Sequence, residues 1–307
     1  MVSRRNIRIK AMQSIYALLN STSDWSIKEG HKALVQSYAD ACELATAYFY
    51  IIKQTCEYSL IDASAKSNKR LPTAADLNVN TKIARNTIIE ALAANASFES
   101  ACAVAKLSSK IDTDFIKRVY IELIASNEYK KYTENAAYDA AEDTKVFLYI
   151  LNLLSTNESH ATSIQDMFGN YEDDNDMVIA WINKNLEKIS AINFNKLLAA
   201  DKHKFGEDLV STFFDRYSYT SELIKPKLLN WDPERIAIVD MIIMQLGITE
   251  ILYFPSIPCK VSINEYIDIA KGYSTMQSGQ FVNGVLDKLY KELEKDNKIH
   301  KTDFQKK

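Results

Sequence analysis

Glycine and proline are scarce, at 7 and 5 residues in a chain of 307, about a third of their average usage. Turns between strands draw on both, glycine for positive φ and proline for a fixed one. A sandwich, barrel or doubly wound sheet of this length would lack the punctuation it needs; an all-helical chain would not. The same shortage excludes collagen-like and glycine- or proline-rich low-complexity chains. Neither G-x-G-x-x-G nor G-x-x-x-x-G-K-[ST] occurs, which removes the phosphate-cradling folds built on glycine-rich loops.

Cysteine is equally thin. Cys42, Cys56, Cys102 and Cys259 form no C-x-x-C, so local spacing builds neither a zinc knuckle nor a redox pair. The pattern fits reduced thiols. Cys259, between Pro258 and Lys260, reads as a buried or turn thiol because no base signature accompanies it. The four histidines (His31, His160, His203, His300) are isolated, without metal-ligand spacing. No nucleophile–base arrangement is tied to a recognisable motif, so no enzyme activity, cofactor or metal is expected. The start, MVSRRNIRIK, lacks the apolar core of a secretory leader. The longest apolar stretch, near 236–254, is broken by Asp240, Gln245 and Glu250, so no membrane span is expected. A cytoplasmic protein follows as the expectation.

What is present is an ample core and an uneven charge. Apolar residues make up 47% and charged residues 25%, with a net charge of −3. Arg4, Arg5, Arg8 and Lys10 meet no acid in the first 20 residues. Residues 64–120 carry nine bases against five acids, and 121–204 carry eight against fourteen. A local basic patch is compatible with this balance; a protein coated all over by nucleic acid is not.

Helical periodicity organises the chain. Ser3 is a candidate N-cap for a helix whose core stripe is Ile7, Ala11, Ile15, Leu18 and Leu19. Arg4, Arg5 and Arg8 fall within roughly 100° of one another around it. A second helix is predicted over about 26–64, with Leu34, Ala41, Leu44, Tyr48, Ile52 and Thr55 on one face. Residues 66–82 read as a loop and a boundary. Helical patterns follow at 83–95, 114–126, 145–154 and 177–189, and 169–177 reads as an acidic loop. Residues 205–231 are predicted helical with a break near Pro226. Next comes a helix apolar nearly all round, with Asp232 as N-cap and Pro233 at its first position. Ser262 and Glu265 suggest a capping box, with Val261 and Tyr266 as its hydrophobic staple. Gly272 would end that helix and Ser278 cap the next. Gly284 inside the last helix costs about 1 kcal/mol relative to alanine, so another backbone is expected close to it.

Four strings together resemble the NusB family of transcription antitermination factors: RRNIRIKAMQSIY (4–16), the W-D-x-x-R-I stretch at 231–236, IPCKVSINEYIDIAK (257–271) and SGQFVNGVLDK (278–288). They cover about a third of the chain. The resemblance implies an all-α fold, a NusB-like bundle of two helical subdomains interrupted by an additional helical insertion. Its parts would be 1–64, the insertion at 65–204, the C-terminal part at 205–296 and a polar tail at 297–307.

The resemblance further implies binding of the boxA element of nascent ribosomal RNA together with NusE, a small-subunit ribosomal protein, and through them the RNA polymerase elongation complex. Carried over by position, it nominates Arg4, Arg5, Arg8, Gln13, Tyr16, Tyr273, Gln277 and Phe281 as RNA-binding residues. Asn6 stands where a third consecutive arginine is common, Gln277 where an acid is common, and Tyr273 where phenylalanine is usual. The residue chemistry suits single-stranded RNA: cations for phosphates, aromatics for unstacked bases, an amide for base edges. Two other functions are weighed. A helical adaptor could keep the fold without RNA binding. A ribosomal RNA cytosine methyltransferase would need a methyl-donor domain, and no glycine-rich strand–turn–helix precedes the motifs.

Overall fold

The structure is a computed structural model that describes residues 3–21, 26–135, 137, 139–197, 199–228, 236–275 and 277–302. No strand occurs among them, as the shortage of glycine and proline implied. Helix α1 (Arg4–Ser21) starts at Ser3 as expected. The Asn6 N–H donates to Ser3 Oγ at 3.1 Å and the Ser3 N–H to Asn6 Oδ1 at 3.3 Å, a reciprocal cap. Ile7, Ala11 and Ile15 are fully buried, while Leu18 and Leu19 at the far end of the stripe are half-buried. Helix α2 (Ile27–Ser67) runs for 41 residues, and all six residues predicted for its apolar face are buried.

The chain forms two compact units, Ala39–Leu197 and Val2–Tyr38 with Leu198–Lys307. The sequence placed the divisions at 64/65 and 204/205. The structure divides earlier at both ends. On α2, Leu44, Tyr48, Phe49, Ile52 and Cys56 belong to the core of the first of these units.

Within Ala39–Leu197, nine short helices follow α2 among the described residues: α3 (Ala74–Leu77), α4 (Thr87–Ala93), α5 (Ala96–Val104), α6 (Leu107–Lys110), α7 (Thr113–Ala125), α8 (Asn127–Glu134), α9 (Ala140–Thr156), α10 (Glu158–Met167) and α11 (Tyr171–Asn185). Side-chain caps separate them. Asn86, Asn95, Asp112, Ser126, Asp139 and Asn157 each accept a first-turn N–H, satisfying donors that a helix start leaves without partners. The acidic loop expected at 169–177 is instead largely helix: Glu172, Asp173 and Asp174 occupy the first turn of α11. Carboxylates are favourable there, against the positive end of the helix dipole. Aromatic edges tie the core, with Phe49 5.4 Å and Phe98 5.0 Å from Phe194, centroid to centroid.

The other unit adds α12 (Ala200–Asp215), α13 (Tyr217–Ile224), α14 (Ile238–Tyr253), α15 (Cys259–Tyr273) and α16 (Ser278–Lys295). Pro226 sits in a 3₁₀ turn, Lys225–Lys227, at the predicted break. Asp232 and Pro233 lie outside the described residues, and α14 begins at Ile238 behind Ala237. From Ile242 to Ile251 every residue of α14 is buried, so it is enclosed as its composition required.

Four local expectations are corrected here. Helix α15 starts at Cys259, behind Pro258 at the N-cap, so Ser262 lies inside it and bonds another helix, and Val261 is exposed while Tyr266 is buried. No capping box or staple forms. Gly272 lies within α15. Ser278 is the first residue of α16, not its cap, and donates to Asp240 Oδ2 at 2.8 Å. Nothing lies within 4 Å of a Cβ built on Gly284, so no backbone approaches it; on α14, a Cβ on Gly247 would sit 3.1 Å from the Leu286 side chain.

The tail is also anchored where described. Lys301 Nζ donates to the carbonyls of Glu250 (3.0 Å) and Phe254 (2.9 Å), and the Thr302 N–H to that of Pro255 at 3.1 Å. These carbonyls close α14, so the ammonium caps its C-terminus. Lys301→Met is expected to cost about 1–2 kcal/mol through the lost charge-assisted bonds. A urea midpoint unchanged from that of the parent chain would contradict this role.

Candidate functional site

The site is built on a buried ion pair. Glu250, in the last turn of α14, is fully buried and accepts from Arg8 Nε at 2.8 Å and Arg8 Nη2 at 2.7 Å. Ser262 Oγ donates to the same carboxylate at 2.7 Å and Tyr266 Oη at 3.2 Å. The Arg8 guanidinium also lies 5.4 Å from the Phe205 ring centroid and 5.9 Å from that of Tyr266. Burial works against its charge, but Glu250 outweighs that, and the Arg8 pKa stands above its ordinary value. Arg8 is 3% exposed. It therefore fixes α1 onto α14 and α15 and is withdrawn from the predicted RNA contacts.

One turn earlier, the charge reaches solvent. Arg4 is exposed, with its guanidinium 5.6 Å from the Phe205 ring centroid. Arg5 is 45% exposed and pairs with two carboxylates of α15, Glu265 Oε2 at 3.4 Å and Asp268 Oδ2. The bonds from Arg5 and Lys271 hold the Asp268 carboxyl below its ordinary pKa.

Further along α1, Gln13 and Tyr16 line a groove of about 400 Å³ that Tyr273, at the end of α15, also lines. Met12, Ala237 and Ile238 contribute apolar surface. Tyr16 is 44% and Ile238 52% exposed, so an aromatic face and an aliphatic one stand open to a ligand. The volume falls within the range of small-molecule sites, and apolar walls with a few polar groups are their usual composition. Three of the eight nominated residues are thus brought together.

Gln277 and Phe281 are not part of this groove. They border a second one of about 350 Å³ on α16, with Gln280, Gly284 and Lys288. Phe281 is 8% exposed, so most of its ring belongs to the core, while Gln277 is exposed. The open space over Gly284 is the floor of this groove.

Sequence reasoning missed Glu250, Phe205 and Ile238. A carboxylate in a helix apolar on every side was the available signal for Glu250, since a buried acid requires a partner. Ile238 carried none, because exposed aliphatics do not announce themselves in a uniformly apolar run. Among the described residues, no cluster of three or more His, Cys, Asp or Glu could hold a metal ion, and no helix is long and apolar enough to cross a membrane. Cys259 is buried, and burial raises its thiol pKa, which disfavours the nucleophilic thiolate.

Residues 172–291 match the NusB family. The transcription antitermination protein NusB of Chloroherpeton thalassium is 49% identical over 73 residues, 24% of this chain and 35% of that protein. Its counterpart in Salinibacter ruber is 39% identical over 98 residues, covering 32% and 61%. That of Methylacidiphilum infernorum is 54% identical over 71 residues, covering 23% and 50%. The chain thus spans between about a third and three fifths of the length of these curated relatives. No solved structure matches. The matched stretch takes in all but the first residue of α11, then α12–α15 and most of α16, and with them Glu250, Asp268 and Tyr273. Over residues 172–291, this chain is thus similar to the NusB family.

Proposed function

We propose that the protein is a transcription antitermination factor that binds boxA-type single-stranded RNA together with NusE, through the face formed by α1 and the end of α15. The observation that carries this reading is the groove in which Gln13, Tyr16 and Tyr273 meet, beyond the exposed bases Arg4 and Arg5 on the same helix. Unstacked bases are held by aromatic faces and read by amides, while cations engage the phosphates between them. Its role is assembly rather than catalysis: a ribonucleoprotein that tethers nascent RNA to the elongating polymerase. The names boxA and NusE come from the family resemblance. The family match begins at residue 172, so the part of the unit Ala39–Leu197 before it is read as an addition to that machinery.

With Arg8 buried, the free cations are fewer than the sequence suggested. Two or three neutralised phosphates give a log K against log[salt] slope of about −1.4 to −2. Tyr16→Ala and Tyr273→Ala are each expected to weaken binding by about 1–3 kcal/mol, the worth of one stacked base. The test titrates the full chain, with and without NusE, against boxA RNA and a scrambled control at several salt concentrations. Equal affinity for the two RNAs under both conditions would favour the helical adaptor instead.

A further inference from the structure

The cations beside the groove are already occupied by the protein's own acids. Arg5 pairs with Glu265 and Asp268 of α15, and Lys271 Nζ donates to the other oxygen of Asp268 at 3.2 Å. Asp268 therefore lies between two bases, one from each helix. It is 48% exposed, Arg5 45% and Lys271 60%, so all three remain open to a ligand. Lys271 is held over the start of α16, where a Cβ on Gly279 would come 2.7 Å from its Cγ. Glycine there leaves room for the lysine stem.

Position along α1 ties this cluster to the groove. At 100° per residue, Arg5, Met12 and Tyr16 fall within about 40° of one another, with Arg5 about 16 Å before Tyr16. Lys271 is two residues before Tyr273 on α15. A strand of RNA with a base between Tyr16 and Tyr273 would pass the Arg5–Asp268–Lys271 cluster within a few nucleotides. A carboxylate bonded to a guanidinium and an ammonium presents the same acceptor chemistry as a phosphate oxygen.

We propose that Asp268, supported by Glu265, is an internal counter-ion that occupies Arg5 and Lys271 in place of an RNA phosphate and sets the affinity of the site. This rests on the RNA-binding reading above. In the free protein Asp268 satisfies both cations. RNA must displace it, so only a ligand that also fills the aromatic groove gains enough to do so. The device suppresses binding to polyanions that offer charge without unstacked bases, and so acts on selectivity as well as strength.

The test is a double-mutant cycle on the full chain with boxA and scrambled RNA. Asp268→Asn keeps the shape and removes the charge. Exposed ion pairs carry up to about 1 kcal/mol, so a gain of about three- to fivefold in affinity is expected. The gain should be larger for the scrambled RNA, with a salt slope steeper by about 0.7 for each cation released. In an Arg5→Gln/Lys271→Gln background the same substitution should change affinity less than 1.5-fold. An equal gain in both backgrounds would mean simple removal of a repulsive charge and would overturn the counter-ion role. Failure of every variant to prefer boxA overturns the functional reading instead, while the cycle still reads the coupling on unspecific RNA. No binding of either RNA by any variant overturns both.

Discussion

Replacing Glu250 by alanine is expected to destabilise the unit that contains α14 by about 3–5 kcal/mol, the cost of stranding a buried charge. The carboxylate accepts four bonds, two from Arg8 and one each from Ser262 and Tyr266, and it is fully buried. Its loss leaves the guanidinium without a neutralising partner and two hydroxyls without their acceptor. Removing both charges is a different experiment. Arg8→Met with Glu250→Leu exchanges the pair for apolar groups and is expected to recover most of the loss, because a buried ion pair gains little over well-packed hydrophobes. Urea unfolding followed by amide exchange in α14 measures both variants. The role assigned to the pair is wrong if Glu250→Ala lies within 1 kcal/mol of the parent chain.

The same pair shows where a sequence becomes hard to read. Helix positions were legible because they depend on neighbours in the chain: the α2 stripe from Leu34 to Thr55 repeats at helical spacing, and α14 is apolar on every side. Arg8 was misassigned because its partner is 242 residues away in sequence. By local spacing it sits with Arg4 and Arg5 on one basic face. Only tertiary packing separates the arginine that fixes α1 from those that reach solvent. Ser262 and Glu265 failed as a capping box for a related reason. The S-x-x-E pattern is local, but the N-cap of α15 is Pro258, four residues before Ser262, and both side chains turn to partners on other helices. Punctuation at 39–197 was underestimated in turn. Glycine and proline are rare there, yet six Asn, Asp or Ser caps divide the helices, and an acidic first turn at α11 looked like a loop. The groove was legible in part, through Tyr16, Gln13 and Tyr273. Its aliphatic side was not, since nothing in an apolar run marks Ile238 as the residue left outside.

Gly206→Ala is the second large effect, and it runs against helix propensity. Gly206 lies inside α12, where alanine is intrinsically better by about 1 kcal/mol. The space decides otherwise. A Cβ there would overlap Tyr38 Oη and stand 3.0 Å from Ile7 Cγ2 and 3.1 Å from Leu34 Cδ2. Helices α1, α2 and α12 thus meet at a point with no room for a methyl group. Overpacking costs about 1–3 kcal/mol, and here side chains from two other helices crowd the position, so a net loss of about 2 kcal/mol is expected. The overlapping atom is separable from the rest. Tyr38 Oη is buried and finds no hydrogen-bond partner among the described residues. Tyr38→Phe alone should therefore leave stability unchanged or raise it, since an unsatisfied buried hydroxyl contributes nothing and its desolvation is unfavourable. In the Tyr38→Phe background, the nearest obstacle to an alanine methyl becomes a carbon at 3.0 Å, which small rotations can relieve. The penalty for Gly206→Ala should then fall by more than half. Urea midpoints for the four chains give the coupling directly. Equal penalties in the two backgrounds would show that Ile7 and Leu34, rather than the hydroxyl, hold the position to glycine.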